Sequence, residues 1–406
     1  MSTTTNKQSD IFSSIRPEYS AHSIASGIAA GLLNQDDAAL LNAFLAERRA
    51  VAGISTSRAN KISFTLVGWR RFIGPFRDLT ITDLYTGIEA LKAGRSRRGK
   101  PFKQNTLADH VIILKQFLLW GIEEGHITLP EKKVRALKTP TKNTITKKAS
   151  DLLTSEEITA IIQACKTSED RAMLMLLYEG GFRIGEIVQI TWADLIFSNG
   201  GVSTSMKFKT AVTRHIRSYM SAEYLKIWRA DYPGTPEGSA LVFVNEKGKP
   251  FLYATIAKRI QRVVQRAGIT KHVTPHLFRH SRITQMIKDG VSESVIKMMM
   301  WGSVNTTMFK TYAHLTGKDI DSEIARVYGI EKPQEPKKPL VAPRQCPHCQ
   351  HINPPTTTWC FGCGESLSPD SVATEETIKR FIIRHGKELS EFLSNADKNS
   401  ESHQIR

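Results

Sequence analysis

Acidic residues are scarce: 39 Asp and Glu stand against 56 Lys and Arg in 406 residues, a formal net charge of +17. A field of that size is out of proportion for handling small neutral metabolites, and it points to a polyanion, nucleic acid or an anionic membrane. Long apolar runs are also missing. Stretches such as Ala172–Tyr178 fall far below the ~18 residues of a spanning helix, so no membrane partner is expected. The start, Met1-Ser-Thr-Thr-Thr-Asn-Lys7, lacks the charged-then-apolar layout of a secretion signal. Cysteine numbers only five, four of them within residues 346–363, which is not a secreted disulfide scaffold. A hydrophobic content of 40% excludes a wholly disordered chain. The length suits two or three domains at ~150 residues each.

The pattern divides the chain. Residues 1–34 are a polar N-terminal extension. Across 35–131, Leu40, Leu41, Phe44 and Leu45 begin a helical period. It continues through Ile62, Leu66, Trp69 and Ile73, then Ile81, Leu84, Ile88 and Leu91, then Leu107, Val111, Leu114, Leu118 and Ile122. Four amphipathic helices predict a small helical domain. Between the third and fourth sits a basic loop without acid, carrying Arg95, Arg97, Arg98, Lys100 and Lys103. The segment 132–151 is expected to be an extended basic linker, because Lys132–Lys148 holds seven Lys or Arg and no acid. Two basic runs flanking one helical domain favour phosphate contact over a merely solvated surface.

The second domain, 152–330, opens on the capping box Thr154-Ser-Glu-Glu157. A helix from Asp170 to Tyr178 runs into Gly180-Gly-Phe-Arg183-Ile-Gly-Glu186, and residues 202–219 read most simply as a β-hairpin. Ala254–Ala267 is helical, with Arg259, Arg262 and Arg266 on one face as an expected DNA surface. Four prolines make 331–345 a linker. An apolar stripe of Ile378, Phe381, Ile382, Leu389 and Phe392 predicts an amphipathic helix in the tail 367–406. The fold class is mainly α with a small β-hairpin or sheet (α+β).

Residues 346–366 carry two CxxC pairs, Cys346/Cys349 and Cys360/Cys363, separated by ten residues. Four thiolates in two pairs suit one tetrahedral structural Zn²⁺, with Gly362 and Gly364 allowing tight turns, so a zinc ribbon is expected. His348 and His351 are read as bystanders, and Cys165 as core.

Several strongly polar residues lie in otherwise core-like segments: Arg183, then His276 and Arg279 three apart, then Tyr312. Singly, each has a bland structural explanation. In this order, Gly181-Phe-Arg183-Ile-Gly-Glu186, His276-Leu-Phe-Arg279-His280 and Tyr312-Ala-His-Leu315 resemble the tyrosine recombinase, or phage-integrase, family. The Tyr-Ala-His-Leu ending followed by a zinc ribbon is similar to archaeal integrase-like members.

The resemblance implies a helical core-binding domain and a catalytic domain. It implies cleavage and rejoining of duplex DNA through a 3′-phosphotyrosine, with no nucleotide cofactor and no catalytic metal. Arg183 and Arg279 would clamp the phosphate, His276 would assist proton transfer, and Tyr312 would be the nucleophile. The general acid would be a hairpin lysine, Lys209 in preference to Lys207. Met298-Met-Met-Trp-Gly-Ser303 stands where a second histidine is usual, leaving Trp301 as the candidate, with Ser303 closer by spacing. Double-stranded DNA, a homotetramer assembled on it, and a cytoplasmic, nucleoid-associated location are implied in the same way. Segments after Tyr312, such as Asp319–Ile330, are candidates for docking onto a neighbouring subunit. Two rivals stand beside this reading: a catalytically impaired DNA-binding protein with a recombinase fold, and a type IB topoisomerase-like enzyme.

Overall fold

The computed structural model describes residues 16–96, 99–143, 149–198, 200–207, 213–245, 247–312, 328, 341–368 and 386. The chain separates into two compact units, Met1–Thr146 and Lys147–Arg406.

The first unit is helical: α1 Glu18–Ala29, α2 Gln35–Ala52, α3 Thr56–Trp69, α4 Ile81–Ala93, α5 Gln104–Glu123 and α6 Glu131–Ala136. Three starts are fixed by side-chain caps, Asn34 on α2, Ser55 on α3 and Thr80 on α4, each accepting from a first-turn N–H. The apolar stripes meet in an aromatic centre. Phe117 of α5 lies edge-on to Phe44 at 5.4 Å and to Phe76 at 4.8 Å, and all three are fully or almost fully buried. Removing such a ring costs about 3–5 kcal/mol. One buried carboxylate ties the loops in: Asp37 accepts from Arg70 Nε at 2.7 Å and from the Phe76 N–H at 2.9 Å.

Two differences from the sequence expectation belong to this unit. Residues 18–29 form a helix, which buries Ile24 and brings Gly27 so close to Leu33 that a Cβ there would sit 2.9 Å away. The start of the basic linker is also helical rather than extended. Pro130 precedes α6, Glu131 pairs with Arg135 one turn on, and Val134 is completely buried. Farther along, Lys142 pairs with Asp109, and the Asn143 N–H donates to Asn105 Oδ1.

The second unit contains α7 Ser155–Gln163, α8 Ser168–Glu179, α9 Ile184–Ile187, β1 Leu195–Ser198, β2 Gly201–Lys207, β3 Thr213–Ser218, α10 Ala222–Ala230, α11 Tyr253–Arg266, α12 Pro275–Lys288 and α13 Glu293–Trp301. The capping box at Thr154 and Glu157 closes the start of α7. In place of a two-stranded hairpin there is a three-stranded antiparallel meander, in the order β1-β2-β3. Its register pairs Val202 with Ser218 and Lys207 with Thr213. Alternation along β3 turns Arg214, Ile216 and Ser218 inward. Helix α8 is almost entirely buried and is the spine of the unit. A two-stranded ribbon, β4 Arg344–Gln345 with β5 Ile352–Asn353, completes the described fold. The tail stripe residues Ile378, Phe381, Ile382, Leu389 and Phe392, and all of Asp319–Ile330 except Tyr328, lie outside the described residues. No described helix is long and apolar enough to cross a membrane.

Candidate active site and cysteine cluster

Where α8 ends, Gly181 takes a left-handed φ of +57°, turning the chain so that Arg183 opens α9. A Cβ on Gly181 would lie 2.5 Å from Met300 Sδ, so this position serves close approach as well as turning. Arg183 is half exposed, its side chain at 44%, and bonds inward through Nη1 to Glu186 Oε1 at 2.8 Å. The other Glu186 oxygen accepts from the Arg183 backbone N–H at 2.7 Å.

The His-x-x-Arg spacing places His276 and Arg279 one turn apart on α12. Arg279 is buried, donating to the Gly181 carbonyl and, at 2.6 Å, to the Met300 carbonyl. Burial, together with the like charges of Arg183 and Arg214, pushes its pKa down to about 9, with Glu186 pulling the other way. It therefore remains a cation at neutral pH. His276 is held below its usual 6.5 by burial and by the charges of Arg279 and Arg183, so its imidazole is neutral at pH 7.

Tyr312 follows a short 3₁₀ turn, Met308–Thr311, and is buried against Phe309 and Met300. Its hydroxyl lies 2.5 Å from His280 Nδ1. Burial raises its pKa to about 12, against the pull of Arg279 and Arg183. Trp301, at the end of α13, lies under the Arg279 guanidinium at 5.3 Å and beside the Tyr312 ring at 6.2 Å. Arg183, His276, Arg279, Trp301 and Tyr312 thus form one electrostatically connected group. Lys209 lies outside the described residues. Lys207 ends β2, paired in register with Thr213 of β3.

Sequence reasoning passed over Arg214. It is 2% exposed, sits on β3, and donates from Nη2 to Glu186 Oε2 at 2.7 Å and from Nη1 to the Met300 carbonyl. Its signal was alternation, since Arg214 shares the inward face with Ile216.

Among the basic candidates, Arg95, Lys100 and Lys103 are exposed around a tight loop closed by an Arg95–Pro101 bridge, while Arg97 and Arg98 lie outside the described residues. Arg262 and Arg266 are exposed on α11. Arg259 departs from the expectation. Its guanidinium is held between Glu169 and Asp170, at 2.7 Å from each, and stacks over Phe251, so it is an internal ion pair anchoring the start of α8.

The four cysteine Sγ atoms lie within 4.8 Å of one another. The Cys346–Cys363 and Cys349–Cys360 sulfurs are 3.7 and 3.5 Å apart, against the ~3.8 Å edge of a ZnS₄ tetrahedron with ~2.3 Å bonds. Each CxxC forms the same turn. The Gln350 N–H donates to the Cys346 carbonyl, and the Gly364 N–H to that of Cys360. Gln350 and Gly364 take φ values of +61° and +75°. Asn353 Nδ2 and the Gly362 N–H point at Cys360 Sγ. The donor set and its surroundings fit a zinc ion. The ribbon rests on the rest of its unit. Tyr224 of α10 bonds to Thr356, His351 approaches Glu223 at 3.3 Å, and Ile352 covers Gly200.

Residues 151–318 match the model of the phage integrase family. Transposase A from transposon Tn554 of Staphylococcus aureus is 29% identical over 205 residues, covering 47% of this chain and 56% of the transposase, so the match spans little more than half of that relative. Tyrosine recombinase XerC of Xylella fastidiosa (strain 9a5c) is 26% identical over 256 residues, covering 62% of this chain and 82% of XerC. Among solved structures, a lambda integrase dimer bound to a COC′ core site superposes with a TM-score of 0.54 at 18% identity, covering 69% of this chain and 78% of that one. XerH site-specific recombinase bound to its difH substrate gives 0.50 at 19% identity, with coverages of 72% and 84%. Residues 151–318 are thus similar in sequence to the phage integrase family, and the mainly helical fold with its small antiparallel sheet is that of the solved tyrosine recombinases.

Proposed function

We propose that the protein is a site-specific DNA recombinase that cleaves and rejoins duplex DNA through a 3′-phosphotyrosine intermediate. The observation that carries this reading is the burial of the Tyr312 hydroxyl within the field of Arg279 and Arg183. A phosphodiester attacked by the Tyr312 oxygen gathers charge on its non-bridging oxygens, and planar guanidiniums complement that charge with paired donors. The P–O bond to tyrosine forms as the bond to the 5′-oxygen breaks. The phenolic proton leaves through the neutral imidazole of His276 or through the His280 ring, and the departing oxygen takes a proton from Lys209 or Lys207. Trp301 supports Arg279 and the tyrosine ring from one side. The covalent link conserves the energy of the broken ester, so rejoining needs no nucleotide.

Exposed Arg95, Lys100, Lys103, Arg262 and Arg266 are the proposed phosphate contacts. A tetramer on DNA is the assembly that exchange between two duplexes requires. Cys346, Cys349, Cys360 and Cys363 would hold one structural zinc, which cross-links the ribbon.

One observation favours the rival of a DNA-binding protein without cleavage: Ser303, at the spacing usual for a second histidine, offers no imidazole. Nicked suicide duplexes of randomised sequence separate the two. Recombinase activity traps a covalent protein–DNA adduct that Tyr312→Phe abolishes. Retention of DNA without any adduct favours the rival.

A further inference from the structure

Three guanidiniums, those of Arg183, Arg214 and Arg279, surround the single carboxylate of Glu186. Glu186 is itself 8% exposed, and a carboxylate that buried must be neutralised by a partner. Its two oxygens are divided. Oε1 takes one contact from the Arg183 side chain, and Oε2 takes the Arg214 guanidinium together with the Arg183 backbone N–H. Arg214 is too deeply buried to reach DNA, and it is anchored on two further sides, by the Met300 carbonyl and by the Phe182 ring at 5.6 Å. Because Arg214 occupies one oxygen, Arg183 is tied by Nη1 alone and keeps nearly half of its side chain exposed.

We infer that Arg214 is a positioning residue that neutralises Glu186 from inside and so prevents the carboxylate from capturing Arg183, leaving the outer donors of Arg183 for a phosphate. Without Arg214, the natural geometry between a guanidinium and a buried carboxylate is the bidentate fork. Arg183 is the remaining cation bonded to Glu186, and closing that fork withdraws it from the surface. The same loss frees the Met300 carbonyl, shared by Arg214 and Arg279, from one of its two donors. Arg214 therefore couples β3 to both arginines of the site.

The test is sign epistasis between Arg214 and its carboxylate. Arg183 is labelled with phenylglyoxal and quantified by peptide mass spectrometry, with exposed Arg262 as internal standard. Arg214→Met should lower Arg183 labelling several-fold. The double variant Arg214→Met/Glu186→Gln, which also removes the carboxylate, should restore it. Arg214→Lys, which keeps the charge, should stay near wild type. Adduct formation on the suicide duplex should follow the same order, falling by roughly 10–100-fold in Arg214→Met and recovering in the double variant, with DNA affinity little changed. A merely structural arginine would make the double variant as poor as the single one, or worse. That result, or unchanged labelling in Arg214→Met, overturns the inference. If Arg214→Met does not fold, Arg214→Gln repeats the comparison while keeping a donor for Met300. The consequence for cleavage rests on the recombinase reading, whereas the labelling does not. A wild-type chain forming no adduct fails that reading, while the labelling still decides the role of Arg214.

Discussion

The Tyr312 hydroxyl is hydrogen-bonded at 2.5 Å to Nδ1 of His280, the residue immediately after Arg279. The contact fixes the phenol relative to the buried arginine, since both partners of the tyrosine come from adjacent positions of one helix. His280→Ala is expected to leave DNA binding intact and to slow adduct formation by roughly 10–100-fold, the usual cost of a misplaced reacting group. His280→Asn, whose amide can stand in for the ring nitrogen, should recover part of the rate. Single-turnover time courses decide it, and an unchanged rate in His280→Ala removes the residue from the mechanism.

Arg259 and Arg262 lie three residues apart on α11 but should behave oppositely. Arg259→Ala leaves Glu169 and Asp170 without their cation and should cost about 3–5 kcal/mol in denaturant unfolding, with the salt dependence of DNA binding unchanged. Arg262→Ala should leave stability alone and lower the slope of log affinity against log salt by about 1. Equal slopes in both variants would contradict the assignment.

The helical unit carries a pH liability at His110, which packs 5.2 Å from Phe102 and 6.3 Å from Trp69. Burial pushes its pKa down to about 4, with Asp109 opposing and Lys61 assisting. Between pH 6.5 and about 4 the unfolded chain holds a proton that the folded one does not. The stability is therefore complete above 6.5 and is lost as acid moves down through that window, at up to about 1.4 kcal/mol per pH unit. His110→Phe should flatten this part of the profile, as urea midpoints measured at successive pH values will show.

The cysteine cluster should bind one zinc per purified chain. Chelation, or Cys360→Ser, should release the ribbon from Tyr224, Glu223 and Gly200. Melting of the second unit should then fall by on the order of 5 °C, with the helical unit unaffected. A zinc content well below one, or an unaltered melt, would contradict the proposed site.

Local pattern made the cysteine knuckles, the Gly181–Arg183 turn and the His276/Arg279 pair legible in the sequence, because each depends on residues within one turn of each other. Alternation could place Arg214 on the inward face of its strand, but its partners were not legible. Glu186 is 28 residues away and Met300 is 86, and no periodicity encodes such pairings. Arg259 shows the complementary failure. A helical wheel assigns residues to a face, but not what that face meets, and Glu169 lies 90 residues earlier. The helix at Glu18–Ala29 was obscured by its short apolar stripe, which buries only Ile24 among its large residues.

Cleavage through a phosphotyrosine turns on one atom, the Tyr312 hydroxyl oxygen. The most direct measurement isolates the covalent complex formed on a nicked suicide duplex, digests protein and DNA, and maps the modified peptide by tandem mass spectrometry. A nucleotide 3′-phosphate on Tyr312 is expected, with no adduct from Tyr312→Phe. An adduct on any other residue, or one that persists in Tyr312→Phe, would contradict it.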